Sequence, residues 1–371
     1  MRAWLAALAL AVAGIAATAS SAAAVPADFW GVSPQATPTV EEFQRLRTGG
    51  VDSVRIPIGW SGVEPVQGVA DFSQVDALVS GAALAGIEVL PFVYDAPAWA
   101  VPTATVPGSG GHSKAPKTLP VRSGAQRSAW ASFLQLVVAR YGPGGAFWTE
   151  NPALSPRPIR TWQIWNEQNF KYFVVRPNPA DYGKLVKISY TAIRGVDPGA
   201  KLILGGMFAR PKEAEYRRKP AQAYFATDFL DQLYRSTPGI KSKFSGVALH
   251  PYTADYRQLT PDIEEFRSVL KDNHDAGKGL WITEIGWSSE PRSAGDSFSK
   301  GPKGQVTQLN GAFKLFKQKQ VKWKLKRIYW FSVDDLPGSC NFCGGTGLFG
   351  AGFVPKKSWF AYVKFAGGRA S

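Results

Sequence analysis

The strongest constraint on the fold is a repeat of short apolar runs separated by amphipathic stretches. The strand-like runs are Phe29–Ser33, Ser53–Gly59, Glu88–Tyr94, Arg160–Trp165, Lys201–Met207, Gly246–His250, Leu280–Ile285 and Arg327–Val333. Helix-like stretches lie between them: Val40–Thr48, Ser73–Ala85, Ala129–Tyr141, Ala180–Gly195, Ala221–Tyr234, Pro261–Ala276 and Val306–Lys317, with Ser358–Phe365 closing the chain. Strands this continuously apolar are buried on both faces, and helices between them make the sheet parallel. Eight such units predict a closed sheet, an α/β fold of the (β/α)8 TIM barrel type, as a single domain over residues 25–371. Gly49-Gly50, Gly86, Gly142 and Gly277 follow helical runs and read as helix stops. No GxGxxG follows the first strand, which removes the main support for dinucleotide binding.

The first 24 residues read as a leader rather than as part of the fold. Arg2 precedes an apolar run from Trp4 to Ala17, and the segment ends in Ala22-Ala23-Ala24. That order is the pattern of a secretory signal peptide, and the run is shorter than the ~20 residues needed to span a bilayer. A secreted protein with no integral membrane segment after cleavage is the expectation. Two cysteines, Cys340 and Cys343, stand among Pro337, Gly338, Gly344 and Gly345. A zinc site needs four ligands, so in an exported chain a local Cys340–Cys343 disulfide is the better expectation. The net charge of +15 suits an anionic partner such as an acidic glycan, and equally a soluble surface. Lys314–Arg327 is the densest basic segment and reads first as the solvated side of an outer helix. No stacked aromatic motif for nucleic acid accompanies it.

Chemistry concentrates where strands end. The fourth strand runs into Trp162-Gln163-Ile164-Trp165-Asn166-Glu167, and the seventh into Trp281-Ile282-Thr283-Glu284. A carboxylate following an apolar strand is costly to bury unless something pairs or uses it. Strands four and seven of eight face one another across a barrel mouth. Two carboxylates across a cleft are the equipment of glycoside hydrolysis, in which one protonates the leaving oxygen and the other attacks or stabilises the sugar cation.

These motifs resemble those of the clan A glycoside hydrolases, the retaining (β/α)8 enzymes. Trp165-Asn166-Glu167 is similar to that clan's acid/base motif and Ile282-Thr283-Glu284 to its nucleophile motif. Val54-Arg55-Ile56-Pro57 resembles the strand-two motif of family 5, whose arginine supports the nucleophile. His250-Pro251-Tyr252 resembles the strand-six motif, where the tyrosine holds the nucleophile and the histidine lies near the acid/base. Trp330 resembles the strand-eight tryptophan that floors the first sugar subsite, and the segment carrying Trp99 is closer to family 39. The family 5 histidine after strand three is missing; Tyr94, Asp95 or Trp99 stands in its place, and His112 lies deep in the following loop.

The resemblance implies Glu284 as nucleophile and Glu167 as acid and then base. Arg55, Trp99, Asn166, His250, Tyr252 and Trp330 would contact substrate or the glutamates. Trp60, Trp165 and Trp287 join Trp99 and Trp330 as candidate sugar-stacking platforms, most tryptophans being core. Arg55 and Tyr252 would lower the pKa of Glu284. Neither cofactor nor metal is expected. The expected substrate is a polysaccharide or oligosaccharide outside the cell, possibly anionic, acted on by a monomer. Transglycosylation through the same intermediate, and a non-catalytic barrel that binds glycan or cell-wall polymer, are the alternatives; the intact Glu167, Glu284, Arg55, Asn166 and Tyr252 argue against the second.

Overall fold

The computed structural model describes residues 25–102, 104–105, 114–115, 118–215, 221–292, 296–338 and 342–370. The expected signal peptide, His112 and Cys340 lie outside the described residues.

Eight parallel strands close a barrel. They are β1 (Trp30–Val32), β2 (Ser53–Gly59), β3 (Glu88–Tyr94), β4 (Thr161–Ile164), β5 (Lys201–Phe208), β6 (Gly246–His250), β7 (Gly279–Ile285) and β8 (Leu325–Trp330). Each strand pairs with its sequence neighbours and β8 pairs with β1, so no sheet edge remains open. The principal helices are α1 (Val40–Thr48), α2 (Ser73–Ala85), α3 (Gly124–Tyr141), α4 (Pro179–Val196), α5 (Ala226–Ser236), α6 (Leu259–Asp272), α7 (Gly301–Trp323) and α8 (Lys357–Ala366).

Local chemistry explains several boundaries. Thr39 and Glu42 form a capping box that starts α1, and Ser123 with Gln126 does the same for α3. The α3 box places the start of that helix five residues before the expected Ala129. Helix α7 is longer than the stretch expected, because the lysine-rich segment through Lys322 is the water-facing side of the same helix. Among the expected helix stops, Gly86 takes the left-handed conformation (φ 71°) at the end of α2. Gly277 is no cap: α6 ends at Asp272 with Asn273 as its cap.

Strand alternation sorts side chains between two compartments. Val54, Ile56, Trp162, Ile164, Ile282 and Ile328 point outward into the layer beneath the helices and are fully buried there. Leu90, Ile203 and Tyr329, with Trp281 against them, fill the barrel interior. Directly above this plug the inward positions become polar: Arg55, Gln163 and Thr283, all without exposed surface. The floor of the mouth is therefore built by the same alternation that packs the core.

Candidate active site

Glu167 follows β4 and Glu284 lies in β7. They belong to opposite sides of the ring, yet their carboxylate oxygens and His250 Nδ1 include a set lying within 4.8 Å of one another. The turn after β4 brings Glu167 there. Trp165 (φ 69°) and Glu167 (φ 41°) both take left-handed backbone, which costs a non-glycine residue roughly 1–3 kcal/mol each. Trp165 turns away and donates its indole N–H to the Phe173 carbonyl at 3.1 Å, while Asn166 and Glu167 reach the mouth.

Arg55 on β2 organises the floor. Its guanidinium has no exposed surface and donates in three directions: Nη1 to Glu284 Oε1 at 2.7 Å, Nη2 to Asn166 Oδ1 at 2.6 Å and Nε to Gln163 Oε1 at 2.7 Å. The plane lies 3.9 Å over the Phe92 ring. Because guanidinium only donates, the end of Asn166 facing it must be the oxygen, and the amide N–H2 is directed elsewhere. Tyr252 donates its hydroxyl to Glu284 Oε2 at 3.0 Å. Glu284 thus carries a donor on each oxygen.

His250 at the end of β6 has no exposed surface. Its Nδ1 is 2.8 Å from Glu167 Oε1 and 3.6 Å from Glu284 Oε2, and its Nε2 is 2.9 Å from Thr283 Oγ1. Gly206 on β5 makes room for the ring: a Cβ there would come within 2.0 Å of Nε2.

Electrostatics separate the two carboxyls. Burial, together with the charge of Glu284, pushes Glu167 well above the usual carboxylate range, with Arg55 pulling the other way. Burial also raises Glu284, but Arg55 and the Tyr252 hydroxyl hold it back. The expectation of a net lowering at Glu284 is therefore corrected: desolvation outweighs its two donors. The ordering survives, because the donors serve Glu284 and the repulsion acts on Glu167. Burial and the Arg55 charge push His250 well below its ordinary range, so its ring is neutral. Glu167, His250 and Glu284 could in principle close on a cation. Arg55 already supplies the positive charge at Glu284, and His250 Nδ1 is engaged with Glu167.

Among the tryptophans considered as platforms, Trp60, Trp165, Trp287 and Trp330 are buried, with their indole N–H groups bonded to Glu64, Phe173, Thr253 and Thr346. Trp330 is thus corrected as a sugar floor. Tyr329 points into the barrel, so Trp330 points out, against Phe313 and Trp287. The next residue, Phe331, is half-buried with its ring 6.4 Å from that of Tyr252. Trp99 does retain exposed surface, edge-on to Trp60 with its N–H on the Glu64 carbonyl. In the place of the missing strand-three histidine, Tyr94 faces the mouth, pushed up by burial and Asp95 and pulled back by Arg55. Asp95 itself accepts a hydrogen bond from Ser61.

Sequence reading passed over Gln163, Thr283 and Phe331. Gln163 carried a usable signal, being a polar residue inside an otherwise apolar strand. Thr283 and Phe331 gave none, since a threonine and a phenylalanine are ordinary strand residues.

The chain is similar to known proteins in sequence and in fold. Residues 165–343 match the family model described as "Glycosyl hydrolase catalytic core". A family 39 glycoside hydrolase from the gut symbiont Bacteroides cellulosilyticus WH2 superposes with a TM-score of 0.64 at 22% identity, over 92% of this chain and 64% of its own. A monomeric beta-xylosidase from Caulobacter crescentus CB15 gives 0.61 at 20%, over 92% and 69%. Xylanase 10B from Thermotoga maritima gives 0.58 at 14%, over 92% and 95%. The chain spans just under two thirds of the length of the first of these. Its residues 165–343 are thus similar to a glycosyl hydrolase catalytic core, and its barrel shares the fold of these three enzymes.

Proposed function

We propose that this protein is a secreted, monomeric glycosidase that cleaves a polysaccharide or oligosaccharide with retention of configuration. The observation that carries the reading is that one carboxylate oxygen of Glu167 and one of Glu284 lie within 4.8 Å of each other. Retaining enzymes hold the two carboxyl groups ~5–5.5 Å apart, whereas inverting ones need ~6.5–9.5 Å to fit a water.

In the first step Glu284 attacks the anomeric carbon while Glu167 gives its proton to the glycosidic oxygen, which leaves as a hydroxyl. A glycosyl ester on Glu284 and an ionised Glu167 result. In the second step Glu167 takes a proton from water, the water oxygen bonds to the anomeric carbon, and Glu284 departs as carboxylate. Arg55 and Tyr252 keep Glu284 the more acidic of the pair, so the single shared proton resides on Glu167. The Asn166 amide, fixed through its oxygen by Arg55, offers N–H to the sugar 2-hydroxyl.

Azide rescue tests the roles. Glu167→Ala should retain its first step on a dinitrophenyl glycoside, stall for want of a base, and recover with azide to give a glycosyl azide of retained configuration. Glu284→Ala should be rescued only to the inverted azide. Identical behaviour of the two variants on activated and unactivated substrates would sink the assignment.

A further inference from the structure

The hydrogen-bond inventory beneath the carboxylates determines more than their positions. Arg55 Nε is a donor, so the Gln163 atom 2.7 Å from it is the amide oxygen. The other end of that amide is therefore N–H2. It donates to the Leu204 carbonyl at 3.3 Å and lies 3.4 Å from Thr283 Oγ1. An N–H2 facing a hydroxyl leaves it only lone pairs to present on that side. The hydroxyl hydrogen of Thr283 must then go to its other neighbour, His250 Nε2 at 2.9 Å. The reverse assignment would leave that buried hydrogen without an acceptor among the described residues, which is costly.

From this we infer that Gln163 and Thr283 form a positioning relay that fixes His250 in its Nδ1–H tautomer, with that hydrogen directed at Glu167 Oε1. Among the described residues, the charged or titratable groups around the ring are Glu167 and Glu284 at Nδ1, Arg55 below them, and Tyr252 with its ring edge-on at 6.4 Å. The donor fixes how Glu167 works. Oε1 is anchored to His250, so the transferable proton sits on Oε2, the oxygen left to face the leaving group. After transfer, the Nδ1–H supports the new carboxylate until it acts as base. Arg55 is one end of both branches: it binds Glu284 directly and reaches Glu167 through Gln163, Thr283 and His250. The tautomer follows from geometry alone; its consequence for catalysis rests on the proposed glycosidase reaction.

The chain has three histidines, so 15N NMR of the imidazoles is tractable, and the His112→Gln/His274→Gln protein isolates the His250 signal. Between pH 6 and 8 the ring should show a protonated Nδ1 and a bare Nε2. An Nε2–H or doubly protonated ring would overturn the inference, whatever reaction the protein performs. Thr283→Val removes the hydroxyl with little change in volume. Nε2 then loses its hydrogen-bond donor, so its 15N shift should move toward that of an unbonded imidazole nitrogen, and the ring, no longer held at both ends, should hold Glu167 less firmly, so that Glu167 binds its proton more tightly. The basic limb of kcat/KM should then move up by about one pH unit. Thr283→Ser should restore both the shift and the limb. If Thr283→Val leaves the Nε2 shift and the pH profile at their wild-type values, the relay is refuted. Should the NMR outcome hold while no glycoside is cleaved, the relay stands and the functional reading falls.

Discussion

Replacing Arg55 by methionine tests the electrostatic design of the site most directly. The side chains are similar in length, and Met can lie over Phe92, but the variant loses the guanidinium that binds Glu284, Asn166 and Gln163. An ionised Glu284 would then be buried with only Tyr252 as donor. Breaking a buried ion pair typically costs ~3–5 kcal/mol, and one pKa unit corresponds to ~1.4 kcal/mol. Glu284 should escape most of that cost by taking up a proton, so its pKa should climb by ~2 units or more. A raised folded-state pKa means that the folded protein binds more protons than the unfolded one, so stability falls as pH rises. The melting deficit of Arg55→Met relative to wild type should therefore be small near pH 4, where an unfolded glutamate itself begins to protonate, and grow until pH passes the folded value. Activity should follow the same ionisation. The acid limb of kcat/KM should shift upward by the same ~2 units, and the plateau should drop by ~10²–10³, the usual effect of losing one preorganised donor. Arg55→Lys retains the charge but not the three-way fork, and should keep most of the acid limb while losing much of the plateau. Scanning calorimetry between pH 4 and 8 together with a pH–rate profile measures both quantities. A melting deficit that does not vary with pH, or an acid limb that stays in place, would refute the reasoning.

Three further outcomes are expected. Gly206→Ala sets a methyl 2.0 Å from His250 Nε2 and 2.6 Å from Thr283 Oγ1, so the ring must move off Glu167; activity should fall ~10²-fold or more and the basic limb should change. Trp330→Ala should cost ~3–5 kcal/mol in chemical denaturation as a core truncation, whereas Phe331→Ala should raise KM with a much smaller loss of stability. Mass spectrometry under non-reducing conditions should find Cys340 and Cys343 joined; because the loop they close is short, reduction should alter activity more than melting temperature.

The barrel and the two glutamates were legible in the chain because both rest on periodic signals. Eight apolar runs of strand length alternating with amphipathic stretches leave few packings other than a closed parallel sheet, and a glutamate at the end of such a run must lie at a rim. Arg55, Asn166, His250 and Tyr252 could be named because the motifs that hold them resemble those of the clan A glycoside hydrolases. What remained illegible depended on which face of a strand a residue occupies where the backbone stops being regular. Trp330 and Phe331 differ by one position, and only the observed register, with Tyr329 inside the barrel, sends the tryptophan to the core and the phenylalanine to the mouth. The balance at Glu284 was equally hidden, since a motif names donors but not the depth of burial that opposes them. Gln163 and Thr283 acquire a role only through hydrogen bonds spanning 108, 120 and 33 residues of sequence. Periodicity along the chain sets the layers, whereas the direction of each hydrogen bond in the floor is settled by groups from separate strands that meet only when the barrel closes.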